Sequence, residues 1–234
     1  MKIFTWCSVP SPMVIDAIAC SGIIPILDLE HGVFNWETIA SIMHSFSNIY
    51  VRINYPVDER EINWAIEFGV KGIFVPHTES IEVIERVEDA ISNKGLSPYT
   101  KRMEYGIDLS PKNIKFLNDM SLNNLEVIYM IEGDGVKYID TFVQERYIPK
   151  NKPRSLYVGV YDLSKYVGEI GNITHQKVVS TLNGIIFVAN KNCLKVGTYA
   201  RNKKDAKFWT SKTKIDFLAI GSDIGVITQF YKNL

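Results

Sequence analysis

The segment Leu27-Asp28-Leu29-Glu30-His31-Gly32 places two carboxylates and an imidazole within four consecutive positions, directly after the apolar run Gly22 to Ile26. An imidazole titrates near neutrality, so His31 is the candidate general base, with Asp28 or Glu30 available to fix its tautomer. The plainer alternative is a histidine packed in a turn. Arg52 sits inside the apolar stretch Tyr50 to Asn54. There it either pairs with a structural carboxylate or clamps a substrate carboxylate and stabilises an enolate. Glu132 follows "LEVIYMI" and Asp162 follows "SLYVGVY". Two carboxylates facing one mouth repel each other, and a divalent cation relieves that repulsion; carboxylate and water ligands suit Mg²⁺ or Mn²⁺. Each of these acids could instead cap the helix that follows its strand.

Positioning these side chains requires a regular scaffold. Short β-branched or aromatic runs alternate with amphipathic stretches eight times, the pattern of parallel βα units. The predicted strands are Ile3 to Val9, Ile23 to Leu27, Ile49 to Ile53, Gly72 to Val75, Leu125 to Ile131, Ser155 to Val160, Leu194 to Gly197 and Phe217 to Ile220. Predicted helices include Asn35 to Phe46, Glu59 to Phe68, Ser80 to Ile91, His175 to Lys191 and Asp205 to Ser211, with Asp58 and Ser80 as capping residues. Runs such as "GIFV" and "FLAI" are apolar throughout, as strands covered on both faces require. Eight such units in 234 residues point to one α/β domain, a (β/α)8 TIM barrel over residues 1–234, with an irregular excursion at about 93–124 that contains a short helix from Pro111 to Met120. In such a barrel the chemistry lies at the carboxyl ends of the strands. His77, Tyr161, Tyr199 and Arg201 join the set on that ground.

Composition removes other classes of function. Lys plus Arg and Asp plus Glu balance at 26 each, which disfavours nucleic acid as a main partner. No apolar run reaches membrane-spanning length, and the first residues lack the apolar core of a secretory signal, so a cytoplasmic protein is expected. The three cysteines, Cys7, Cys20 and Cys193, are widely spaced and are expected to be reduced, buried and small rather than bridged or zinc-bound.

In order and spacing, "LDLEHG", "YVRI", "GVKGIFVPHTES", "IEGDGV", "VGVYDLSKYVG" and "AIGSD" resemble the HpcH/HpaI class II 2-keto acid (pyruvate) aldolases, from about Trp6 to Asp223. The resemblance implies a metal-dependent enzyme that makes or breaks a C–C bond next to pyruvate, with a 2-keto acid and an aldehyde as partners. On that pattern Glu132 and Asp162 hold Mg²⁺ or Mn²⁺, with Co²⁺ or Zn²⁺ as further candidates. Arg52 stabilises the enolate oxygen, and His31, oriented by Asp28, is the base. The resemblance also implies a homo-oligomer, a trimer or hexamer. Three departures stand out. Met130 replaces the family's glutamine beside the keto acid; "LSPYTKRMEYG" keeps Pro98 and Arg102 but not the glycine pattern; and Tyr199, with Arg201 close by, replaces a small or aliphatic residue at the aldehyde pocket. With Tyr161 they predict a polar or charged acceptor. Two other readings remain open: a CoA-thioester lyase of the citrate lyase β type, whose members read D-L-E-D where this chain has D-L-E-H, and a barrel without turnover that serves as a binding or assembly protein.

Overall fold

Strands that are apolar throughout can exist only where both faces are covered, and a barrel wrapped in helices covers them. The computed structural model describes residues 1–92, 125–144 and 146–232. Its strands are β1 (Lys2–Cys7), β2 (Ile24–Asp28), β3 (Tyr50–Arg52), β4 (Gly72–Val75), β5 (Glu126–Ile131), β6 (Arg154–Val158), β7 (Lys195–Ala200) and β8 (Phe217–Ser222). Each pairs in parallel with the next, and β8 closes on β1. The expected (β/α)8 barrel is therefore what forms. The described helices are α1 (Pro12–Cys20), α2 (Trp36–Met43), α3 (Glu59–Phe68), α4 (Ile81–Ser92), α5 (Ile139–Phe142), α6 (Val160–Tyr166), α7 (Gln176–Lys191), α8 (Lys203–Lys212) and α9 (Asp223–Lys232). A 3₁₀ turn, Gly133–Tyr138, precedes α5. The excursion expected at about 93–124, with Pro98, Arg102 and the Pro111 to Met120 helix, lies outside the described residues.

Local chemistry starts and stops these helices where the barrel needs them. Pro12 opens α1, where a missing N–H costs nothing. Asn35, Asp58 and Asn202 accept backbone N–H groups at the starts of α2, α3 and α8. Gly69, at φ 75°, ends α3 in a left-handed turn.

The interior is filled rather than hollow. Phe4, Tyr50, Phe74 and Phe217 meet edge to face inside the strands, with Phe74 also against Trp6 and Tyr157. Gly197 is what admits Phe217, because any Cβ there would run into the phenyl ring. At the amino-terminal end, Lys2 Nζ donates to Glu126 Oε2 at 2.5 Å and to the Tyr50 hydroxyl at 3.0 Å. The Tyr50 hydroxyl in turn donates to Glu126 at 2.7 Å, so this end is sealed by a satisfied polar plug. Chemistry is left to the opposite end.

Some boundaries differ from expectation. Strand β7 runs on to Ala200, so Tyr199 lies on the strand rather than after it. Strand β6 stops at Val158, and α6 starts at Val160, which brings Asp162 into the first turn of a helix. Only Cys7 is buried; Cys20 and Cys193 are exposed, because they fall at the end of α1 and in the turn after α7 instead of on packed strands. All three are free thiols.

Candidate active site

Strand register builds the first half of the site. Asp28 and Arg52 are direct partners in the β2–β3 ladder, at the carboxyl ends of both strands. Arg52 Nε donates to Asp28 Oδ1 at 2.8 Å and Nη2 to Oδ2 at 2.5 Å, a two-pronged pair. Arg52 Nη1 lies 3.0 Å from Glu30 Oε2, and the guanidinium carbon sits 4.7 Å from the Trp6 ring centre. Asp28 is 3% exposed and Arg52 9%, so water screens this cluster poorly. Burial pulls the guanidinium pKa down, but the Asp28 hydrogen bonds and the charges of Asp28, Glu30 and Glu132 outweigh it and raise the pKa. Arg52 is thus a fixed cation, and of its five N–H groups one on each terminal nitrogen is left for a ligand.

The expected link from Asp28 to the His31 ring is absent. Besides Arg52, Asp28 Oδ1 accepts the backbone N–H groups of Glu30 and His31, each at 3.1 Å, so the carboxylate fixes the turn and not the imidazole. The His31 ring stands at the rim with its side chain 69% exposed, and Nε2 is 3.9 Å from Glu30 Oε2. Glu30 is therefore the nearer candidate for orienting it. Of the remaining histidines, His44 caps the end of α2, and His175 caps the start of α7 with its ring 3.6 Å from Glu169. His77, expected at the mouth from its place after β4, has more partners there than its position announces. Its ring lies 3.1 Å from Glu30 and 3.4 Å from Glu132. The available signal was its place just past the apolar run of a barrel strand.

Neither capping alternative holds for the two acids of the second half. Glu132 precedes the 3₁₀ turn without a side-chain cap bond, and Gly159 rather than Asp162 is the N-cap of α6. Glu132 Oε2 accepts instead from the His77 backbone N–H at 3.1 Å. Burial raises the Glu132 carboxyl pKa, and the charges of Asp162 and Glu30 add to the rise; the His77 contacts oppose it. A Cβ on Gly159 would lie 3.0 Å from Asp162 Oδ2 and 3.4 Å from Glu132 Cγ, so the two side chains converge over a residue that leaves them room. Two neighbouring carboxylate side chains of this kind suit a hard divalent cation. Among the described residues no three His, Cys, Asp or Glu side chains gather as a metal cluster, so remaining ligands would come from water and substrate.

Gly159 has φ −69°, open to any residue. Gly159→Ala is therefore expected to fold normally while weakening Mn²⁺ binding by about tenfold, by analogy with the loss of supporting groups around a metal. Isothermal calorimetry reads this directly, and an unchanged affinity would show that the two carboxylates do not act as a pair.

The other expected residues form a neighbouring group. The Tyr161 and Tyr199 rings are 6.1 Å apart. Arg201 is gripped by Asp205, with Nε at 2.5 Å and Nη2 at 3.0 Å from its oxygens, so most of its fork is already engaged. Met130 is buried in the barrel interior, opposite Tyr157 in the β5–β6 ladder, and gives the site an apolar floor.

The fold and site together define a (β/α)8 barrel with an arginine-anchored, carboxylate-rich mouth. No protein-family profile matches the chain. The chain is 24% identical to the 5-keto-4-deoxy-D-glucarate aldolase of Klebsiella pneumoniae, over 100% of this chain and 91% of that one. Among solved structures it matches a citrate synthase, SbnG, with a TM-score of 0.80 at 24% identity, covering 99% of this chain and 90% of that one. It also matches an HpcH/HpaI aldolase from Desulfitobacterium hafniense with a TM-score of 0.78 at 18% identity, again covering 99% and 90%. The structural likenesses show the fold. The aldolase relatives are similar to this chain over nearly its whole length.

Proposed function

We propose that this protein is a divalent-metal-dependent class II aldolase. It cleaves or forms the C–C bond of a 4-hydroxy-2-keto acid or a 2-keto-3-deoxy sugar acid through a pyruvate enolate. The observation that carries this reading is the convergence of Glu132 and Asp162 over Gly159, at the same mouth as the fixed Arg52 cation. Glu132 and Asp162 would hold a divalent ion such as Mg²⁺ or Mn²⁺, which would supply Lewis acidity at the keto group.

The chain's own residues do the rest. Asp28 and Glu30 hold Arg52 so that its remaining N–H groups face the oxygen on which negative charge develops, and no reorganisation is needed as the charge appears. His31, at the open rim, accepts the C4 hydroxyl proton. The C3–C4 bond then breaks, its electron pair passes into the enolate, and the aldehyde leaves; protonation at C3 gives pyruvate. Met130 and Tyr157 form an apolar floor that keeps water from the enolate. Tyr161, Tyr199 and Arg201 border the side where the aldehyde part lies.

A homo-oligomer fits the outer surface: Met13 on α1 and Val226, Phe230 and Tyr231 on α9 are exposed apolar side chains. No described helix is long and apolar enough to cross a membrane. The relatives' name makes 5-keto-4-deoxy-D-glucarate the first substrate to try, followed by simpler 4-hydroxy-2-keto acids. With Mn²⁺ or Mg²⁺, the purified protein should release pyruvate from at least one of them, and EDTA should stop the release. Failure with every acid and every divalent ion would refute the reading.

A further inference from the structure

We propose that His77 is a positioning residue that holds Glu132 ready for the metal and ties it to the Arg52 half of the site. This rests on the aldolase reading of the same mouth. His77 lies just past β4 at φ 48°, in the left-handed region that residues with a side chain seldom occupy. The segment is pinned at the next residue, Thr78. Thr78 is fully buried, its N–H donates to the Met130 carbonyl at 3.0 Å, and its hydroxyl donates to the Val75 carbonyl at 3.2 Å.

In that conformation one residue reaches Glu132 twice. The His77 backbone N–H donates to Glu132 Oε2 at 3.1 Å, and ring Nδ1 lies 3.4 Å from the same oxygen. The far side of the ring faces the other half of the site, with Nε2 3.1 Å from Glu30 Oε1. Glu30 Oε2 is in turn 3.0 Å from Arg52 Nη1. A continuous chain of contacts therefore runs from Asp28 through Arg52, Glu30 and His77 to Glu132. Glu79 also approaches Nδ1, at 3.9 Å, and the Tyr55 ring lies 4.9 Å from the imidazole. Beside the ring opens a cavity of about 510 Å³, bordered by Tyr55, Glu79 and Tyr138, so the imidazole also forms a wall between the carboxylate pair and open space.

The need for such a residue is electrostatic. Asp162 and Glu30 both act against the charge on Glu132, and the His77 contacts oppose them. Groups that orient a metal ligand commonly change metal affinity by 10- to 100-fold when removed.

The test is Mn²⁺ binding, followed through the paramagnetic resonance signal of the free ion, in the wild type and in His77→Ala, His77→Gly and His77→Asn. The Kd should rise about 10- to 100-fold in the Ala and Gly variants. Asn tolerates the left-handed backbone and keeps a polar side chain, so it should fall between. At saturating Mn²⁺ the ion itself fixes Glu132, and kcat should recover far more than the Kd does. Glycine adopts φ 48° without strain, so His77→Gly still decides the question if His77→Ala does not fold. If the wild type binds Mn²⁺ and both ringless variants bind it equally well, the role of His77 is overturned and the aldolase reading stands. A lowered melting temperature with unchanged Kd would equally assign His77 to structure alone. If the wild type binds no Mn²⁺, both readings fall.

Discussion

Replacing Arg52 with alanine is expected to cost both turnover and stability. The guanidinium is the charged partner of Asp28, which is 3% exposed, and it also faces Glu30. Removing one member of a buried ion pair leaves the other without compensation, at a cost of about 3–5 kcal/mol. Loss of a donor to the developing oxyanion should lower kcat by about 10²–10³-fold on its own. Arg52→Lys separates the two effects. A lysine keeps the positive charge but cannot reproduce the two-pronged contact, so it should retain much of the stability while kcat stays low. Thermal melts followed by circular dichroism, together with steady-state kinetics, read both quantities. A wild-type melting temperature in Arg52→Ala would contradict the buried cluster, and wild-type turnover in Arg52→Lys would contradict the enolate role.

Glu132→Gln should move stability and function in opposite directions. Burial raises the Glu132 carboxyl pKa, and the nearby charges of Asp162 and Glu30 add to the rise. A carboxyl with a folded pKa above its unfolded value favours the fold fully below the unfolded value, and that contribution is lost as pH rises through the folded one. At pH 7, without a cation, the ionised side chain therefore weakens the fold. Gln is close in shape and carries no charge, so metal-free Glu132→Gln should melt above the wild type at pH 7, the gap narrowing as pH falls through the ordinary carboxyl range. The same substitution removes one of two carboxylate ligands. Turnover should fall by about three orders of magnitude, and added Mn²⁺ should no longer raise the melting temperature. A variant that melts lower at pH 7, or that keeps its response to Mn²⁺, would contradict this assignment.

The barrel was legible because its strands are short, apolar on both faces and separated by amphipathic helices; Gly72–Val75 and Glu59–Phe68 fall where periodicity places them. Ends were less legible. Tyr199 and Ala200 extend β7 because pairing with β8 continues beyond Gly197, which local composition cannot reveal. In the site, the residue types at strand ends pointed to one mouth, while their partnerships depended on register. Asp28 meets Arg52 because the two are ladder partners, and its other bonds go to the Glu30 and His31 backbone N–H groups rather than to the His31 ring. Glu30 looked like one of two possible partners for His31; it contacts Arg52 and His77 as well. His77 was placed at the mouth by its strand-end position, but its contacts with Glu30 and Glu132 depend on a left-handed backbone that no local pattern announces. The convergence of Glu132 and Asp162 over Gly159 likewise exists only once β5 and β6 are side by side.

The central claim is that this mouth forms and stabilises the enolate of pyruvate, and it can be tested without knowing the aldehyde. Pyruvate incubated in D2O with the protein and Mn²⁺ should gain deuterium at its methyl group, read by mass spectrometry. The exchange should stop with EDTA and be absent in Arg52→Lys and Glu132→Gln. No exchange above the buffer rate with Mg²⁺, Mn²⁺, Co²⁺ or Zn²⁺ would contradict the account.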